Sequence, residues 1–84
     1  MLDEGFWAEI KIGSEHVRLF SEHNAQGIQM SVYDVARKCC IAPSETVADI
    51  EQGKEKATEY AKAHLQRIGE SEMPPLVWKR ARSV

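Results

Sequence analysis

The sequence predicts an α+β fold: a three- to four-stranded antiparallel β-meander packed on one long C-terminal α-helix (β-β-β-(β)-α), followed by an extended arm rich in Pro and Trp. Three observations predict it. Three runs, residues 5–13, 16–21 and 28–33, alternate between two faces with a period of two. Residues 44–69 carry a single apolar stripe with spacings of three and four. The links between the alternating runs are short, and a parallel pair needs a crossover of a dozen or more residues.

At 84 residues, 43% hydrophobic and 29% charged, the chain fits one small domain: a sheet at about 5–41, a helix at about 44–69 and an arm at 70–84. A core of this size contributes no more than ~3–5 kcal/mol net. Association with a second copy is a common way to make up the remainder, so a homodimer or another protein partner is expected.

The first strand is read over residues 5–13, with Phe6, Ala8, Ile10 and Ile12 on one face and Trp7, Glu9 and Lys11 on the other. Gly13, Ser14 and Glu15 signal a tight turn. A second strand follows over residues 16–21, with Val17 and Leu19 inward and His16, Arg18 and Phe20 outward. The polar run 22–27 reads as a loop ending in Gly27. The third strand then sets Ile28, Met30 and Val32 against Gln29, Ser31 and Tyr33.

Residues 32–41 fit two conformations. As a helix, Val32, Val35, Ala36, Cys39 and Cys40 share one stripe. As extended chain, Val32, Tyr33, Cys39, Cys40 and Ile41 are residues that favour strands, and a bulge near Asp34 restores the alternation. The extended reading, a bulged continuation or a short fourth strand, is preferred. Pro43 and Ser44 mark the next boundary, with Ser44 as the expected helix N-cap.

Along the helix, Val47, Ile50, Gly53, Ala57, Tyr60, Ala61, His64, Leu65 and Ile68 form the stripe, opposite Lys54, Glu55, Lys62 and Gln66. Gly69 is placed to end it, after Arg67. Glycine inside a helix costs about 1 kcal/mol relative to alanine. Gly53 lies on the apolar stripe, which argues for close approach of helix to sheet along a seam of Gly53, Ala57 and Ala61, or for the same seam meeting its copy in a dimer. Residues 70–72 read as polar linker. Two prolines in residues 73–78 forbid helix and favour polyproline II, and Lys79, Arg80 and Arg82 form a basic tail.

Chemistry is sparse. The two cysteines, Cys39 and Cys40, are adjacent, which disfavours a disulfide between them, and free thiols suit a cytoplasmic location. Without a C-x-x-C or a histidine at ligand spacing, no metal site, cofactor or catalytic residue is expected. His16, His23 and His64 are read as structural. The net charge of −2 speaks against generic nucleic-acid binding. Such binding would have to use Lys11, Arg18, Arg37, Lys38 and the basic tail. No apolar run reaches the ~20 residues that span a bilayer, and the acidic start of the chain does not resemble a secretory signal.

The features that remain are aromatic. Trp7, Phe20 and Tyr33 all fall on the strand faces opposite the core, where neighbouring strands would gather them into one patch. Trp78, between the prolines and the basic tail, is expected either to fold back on its own domain or to dock on a partner. In outline, three strands and a helix resemble the arm-site-binding domains of phage-type integrases and, in part, the double-stranded-RNA-binding fold. This chain lacks their basic sheet face and is assigned to neither. The expected role is a small non-enzymatic binding or assembly domain working through Trp7, Phe20, Tyr33 and Trp78.

Overall fold

A computed structural model of the chain describes residues 4–69 and 73–82. The expected linker at 70–72 lies outside them, as do the two ends of the chain. Strands β1 (Glu4–Ile12), β2 (Glu15–Asn24), β3 (Gly27–Asp34) and β4 (Cys39–Val47) precede helix α1 (Ile50–Arg67), and β5 (Lys79–Arg82) follows it. They form one antiparallel sheet of order β4-β3-β2-β1-β5 with α1 packed on one face.

Both hairpins are tighter than the polar runs suggested. Ile12 pairs with Glu15 and Asn24 with Gly27, leaving two-residue connections. Gly13 sits at φ 57° and Gly27 at φ 113°, conformations that glycine adopts at no Cβ penalty. The expected loop at 22–27 is therefore mostly strand: Glu22 and His23 continue the ladder.

The stretch 32–41 is not helical. β3 ends at Asp34, a turn crosses residues 35–38 with Lys38 at φ 55°, and Cys39 opens β4. The ladder is irregular, though not at Asp34. From Met30↔Glu45 the pairing steps to Val32↔Ala42 and then Tyr33↔Cys40, which places extra residues on β4. Pro43 sits within this irregular part of an edge strand, where a missing N–H is tolerated.

Helix α1 starts later than Ser44 implied. Ser44 is exposed on β4, and the N-cap is Asp49, whose Oδ1 accepts from the Gln52 backbone N–H at 2.7 Å. Gln52 reaches back in turn, its Oε1 accepting from the Ala48 N–H at 2.7 Å. This is a reciprocal cap of the Asp-x-x-Gln kind. Gly69, at φ 92°, follows the C-cap Ile68.

The core lies between α1 and the inner sheet face. Ala8, Ile10, Val17, Leu19, Met30, Val32 and Ala42 come from the strands, and Gly53, Ala57, Ala61 and Leu65 from the helix, each four residues apart. Two members of the expected stripe stay outside: Tyr60 is 43% exposed and Ile68 37%. The buried stripe is narrower than the apolar one because its small residues bring the helix close. A Cβ on Gly53 would collide with Ser21 Oγ and lie 3.1 Å from Ser21 Cβ and 3.3 Å from Val47 Cγ2. Ser21, fully buried, donates to the Ile50 carbonyl at 2.9 Å, so the contact is polar as well as tight.

The basic tail is a fifth strand. β5 pairs with β1, Lys79 opposite Trp7 and Arg80 opposite Phe6, and the preceding segment runs without regular structure. Met73, Leu76 and Trp78 pack against the core as partly buried residues. No helix among the described residues is long and apolar enough to cross a membrane.

Candidate functional site

The strand pleat puts Trp7, Glu9 and Lys11 of β1, His16, Arg18 and Phe20 of β2, and Ser31 and Tyr33 of β3 on the sheet face away from α1. Register makes them neighbours. Trp7 stands directly opposite Phe20, Arg18 directly opposite Tyr33, and Tyr33 is thus diagonal to Phe20. All three rings are half-buried. Cations roof part of Trp7: Lys79 Nζ lies 5.0 Å and the Arg18 guanidinium 5.8 Å from its ring centroid.

Beside the rings, one carboxylate gathers an imidazole and two cations. Glu9 has His16 Nε2 at 2.5 Å, receives Arg18 Nε–H at 2.9 Å and lies 3.7 Å from Lys11 Nζ. The hydrogen bonds from His16 and Arg18 lower the Glu9 carboxyl to about 2. Arg18 and Lys11, two of the side chains a nucleic-acid surface would need, are thus already matched within the domain.

Trp78 lies elsewhere. It packs on the helix side, where Lys54 Nζ sits 4.3 Å from the Phe6 ring centroid and 5.8 Å from that of Trp78. Glu51 Oε1 accepts from Lys54 at 3.4 Å. The Lys54 ammonium therefore faces both rings, although the sequence places it on the polar side of the helix. Trp78 does not compete with Trp7, Phe20 and Tyr33 for one surface.

A second constellation was invisible in the sequence. At the other end of α1, Glu15 from the first hairpin, Asp34 from the end of β3, Arg37 from the following turn and His64 from the helix converge. Asp34 is fully buried, inward-facing opposite Val17. Arg37 Nη1 donates to Asp34 Oδ2 at 2.8 Å and to Glu15 Oε1 at 2.6 Å, while Nη2 donates to Glu15 Oε2 at 2.9 Å. The Arg37 backbone N–H donates to Asp34 Oδ1 at 3.1 Å. Burial alone would push the Asp34 carboxyl up, but the side-chain and backbone hydrogen bonds from Arg37 outweigh it and the net direction is down. The Arg37 hydrogen bonds likewise lower Glu15, and the two carboxylates raise Arg37 further. His64 Nε2 lies 3.6 Å from Asp34 Oδ2, is shielded from solvent and has no hydrogen-bond partner among the described residues. Apart from Asp34 and Arg37, which flank one turn, the four residues are 19 to 49 positions apart in the chain, so only the strand register and helix placement bring them together; the one local signal is the Asp34–Arg37 spacing of a turn.

Cys39 and Cys40 are free and exposed. Comparison with models of known protein families, with curated proteins and with solved structures finds no match to this chain.

Proposed function

We propose that the chain is a non-enzymatic binding and assembly domain that pairs with a second copy of itself through the open face of its sheet. One observation carries this reading: Trp7 and Phe20 directly paired in register, with Tyr33 diagonal to them, on the face that α1 leaves uncovered. The charges on that face favour a like partner. They are of both signs and close on themselves around Glu9, so the rings meet an approaching copy without a field that selects acidic or basic partners. An interface across a two-fold axis must be self-complementary, a condition that rings flanked by charges of both signs can meet.

Five strands ~4.8 Å apart and ~25 Å long offer a face of roughly 600 Å². That is below the ~800 Å² per partner of a standard interface, so dissociation in the micromolar range is expected. The exposed thiols support a reducing, cytoplasmic setting. Sedimentation equilibrium over a hundredfold range of concentration tests the proposal. Wild type should shift from monomer to dimer, and the Trp7→Ser, Phe20→Ser double variant should remain monomeric at every concentration. A wild type that is monomeric at high micromolar concentration ends it. In the same assay a labelled single-stranded oligonucleotide at low salt would bind only if the face served nucleic acid instead.

A further inference from the structure

Glu15, Asp34 and His64 each offer one ligand-type atom, and these atoms all lie within 4.8 Å of one another. Two facts make this more than a surface ion pair. Asp34 is a fully buried carboxylate, which a fold tolerates only with a cation beside it. His64 Nε2, although shielded from water, has no hydrogen-bond partner among the described residues; at 3.6 Å from Asp34 Oδ2 it is beyond hydrogen-bond range. An imidazole nitrogen left without a partner next to two carboxylates is the donor set of a divalent transition metal, and imidazole favours zinc over magnesium or calcium.

The spacing agrees. With metal–ligand bonds of about 2.0–2.2 Å, a tetrahedron has ligand–ligand edges of about 3.3–3.6 Å. The Asp34–His64 pair already stands at one such edge, 3.6 Å. The widest separation, 4.8 Å, must close by about 1 Å, and Glu15 borders a two-residue turn where small adjustments are cheap. The positive charge held there now is the guanidinium of Arg37, which comes from an exposed turn and keeps its side chain 49% exposed. It can swing into water without disturbing the core. Its backbone N–H would stay on Asp34 Oδ1, fixing the carboxylate so that Oδ2 points at the metal.

We infer that Glu15, Asp34 and His64 form a three-ligand site for a divalent transition-metal ion such as Zn²⁺, with water in the fourth position, and that Arg37 is its internal competitor, displaced when the ion binds. This is independent of the sheet-face reading, since the cluster lies on the helix side.

The test uses the full chain with Cys39→Ser and Cys40→Ser, so that the adjacent thiols cannot take the ion. Calorimetric titration with Zn²⁺ alone, and the visible absorption of added Co²⁺, report affinity and coordination. Removing the competing charge by Arg37→Gln should tighten Zn²⁺ at least tenfold, and adding His64→Gln should reverse that gain. A folded Arg37→Gln protein that binds Zn²⁺ no tighter than its parent would overturn the inference, as would a His64→Gln change without effect. Should Arg37→Gln unfold, nitrogen-15 spectra of the histidine rings in the thiol-free parent decide. Zn²⁺ must move the Nε2 signal of His64, and movement confined to His16 or His23 refutes the site.

Discussion

Gly53→Ala is the sharpest probe of how the helix meets the sheet. On propensity alone the change should stabilise, by about 1 kcal/mol, because glycine is the poorer helix former. The structure demands the opposite sign. The new methyl would overlap Ser21 Oγ and press on Ser21 Cβ at 3.1 Å and Val47 Cγ2 at 3.3 Å. Ser21 is fully buried and its hydroxyl is committed to the Ile50 carbonyl, so it cannot simply rotate away. Overpacking costs about 1–3 kcal/mol, and losing the serine hydrogen bond adds about 0.5–1.5 kcal/mol. Set against the propensity gain, the expected net loss is about 1–3 kcal/mol. For a domain of this size that is a drop in Tm of roughly 4–8 °C per kcal/mol. Urea unfolding of Gly53→Ala, Ser21→Ala and the double variant closes a cycle. Ser21→Ala removes the overlapping oxygen, so the double variant should lose clearly less than the sum of the singles. A Gly53→Ala protein as stable as wild type, or more so, would refute the close-approach argument.

Other substitutions check separate parts of the account. Asp49→Ala should cost about 1 kcal/mol of stability in chemical denaturation, the usual worth of an N-cap, while Ser44→Ala should stay within about 0.5 kcal/mol; equal effects would contradict the placement of the helix start. Glu9 gives a pH signature. Its carboxyl is lowered from 4.5 to about 2 in the fold, so its contribution is full above about 4.5 and is lost as pH falls through about 2. The stability gap between wild type and Glu9→Gln should therefore narrow over that window, and a gap independent of pH would be inconsistent with the carboxylate's role. Trp78→Ala, truncating a half-buried ring, should lower stability by roughly 1–3 kcal/mol and leave the monomer–dimer equilibrium of the folded protein unchanged; a shift in that equilibrium would mean that the arm belongs to the interface.

What the sequence made legible follows the range of the interactions. The period-two runs placed Ala8, Ile10, Val17, Leu19, Met30 and Val32 inside and Trp7, Arg18 and Phe20 outside, because a pleat fixes alternation locally. The same logic explains the close seam at Gly53, whose cost inside a helix has no local reason. The helix start was misread because Ser44 looks like a cap one strand too early. The better signal, Asp49 with Gln52 three residues on, was present but followed a stretch whose bulged pairing hides its alternation. β5 was unreadable for another reason: Lys79 and Arg80 have little strand preference, and they become a strand only because β1 offers a free edge. The Glu15–Asp34–Arg37–His64 cluster depends on three elements meeting at one end of the core, which no local spacing records.

The placement of the polar clusters then separates structure from recognition. The inner layer is closed at both ends of α1 by different chemistry. Near its start, the Lys54 ammonium lies against Phe6 and near Trp78. Near its end, the buried Asp34 carboxylate is held by Arg37, with His64 beside it. Substitutions at either end act on the fold first, and through it on anything the domain does. The outer face carries no such duty: its rings lean on one another and on Lys79 and Arg18, and its one strongly shifted carboxylate, Glu9, is satisfied within the same face. A surface whose charges are internally matched, and whose large side chains support no second layer among the described residues, can be stripped at Trp7 and Phe20 without opening the core, at the ~1–3 kcal/mol that truncating a half-buried ring costs. For that reason loss of association in a double variant that is still folded would speak to binding and not to the scaffold.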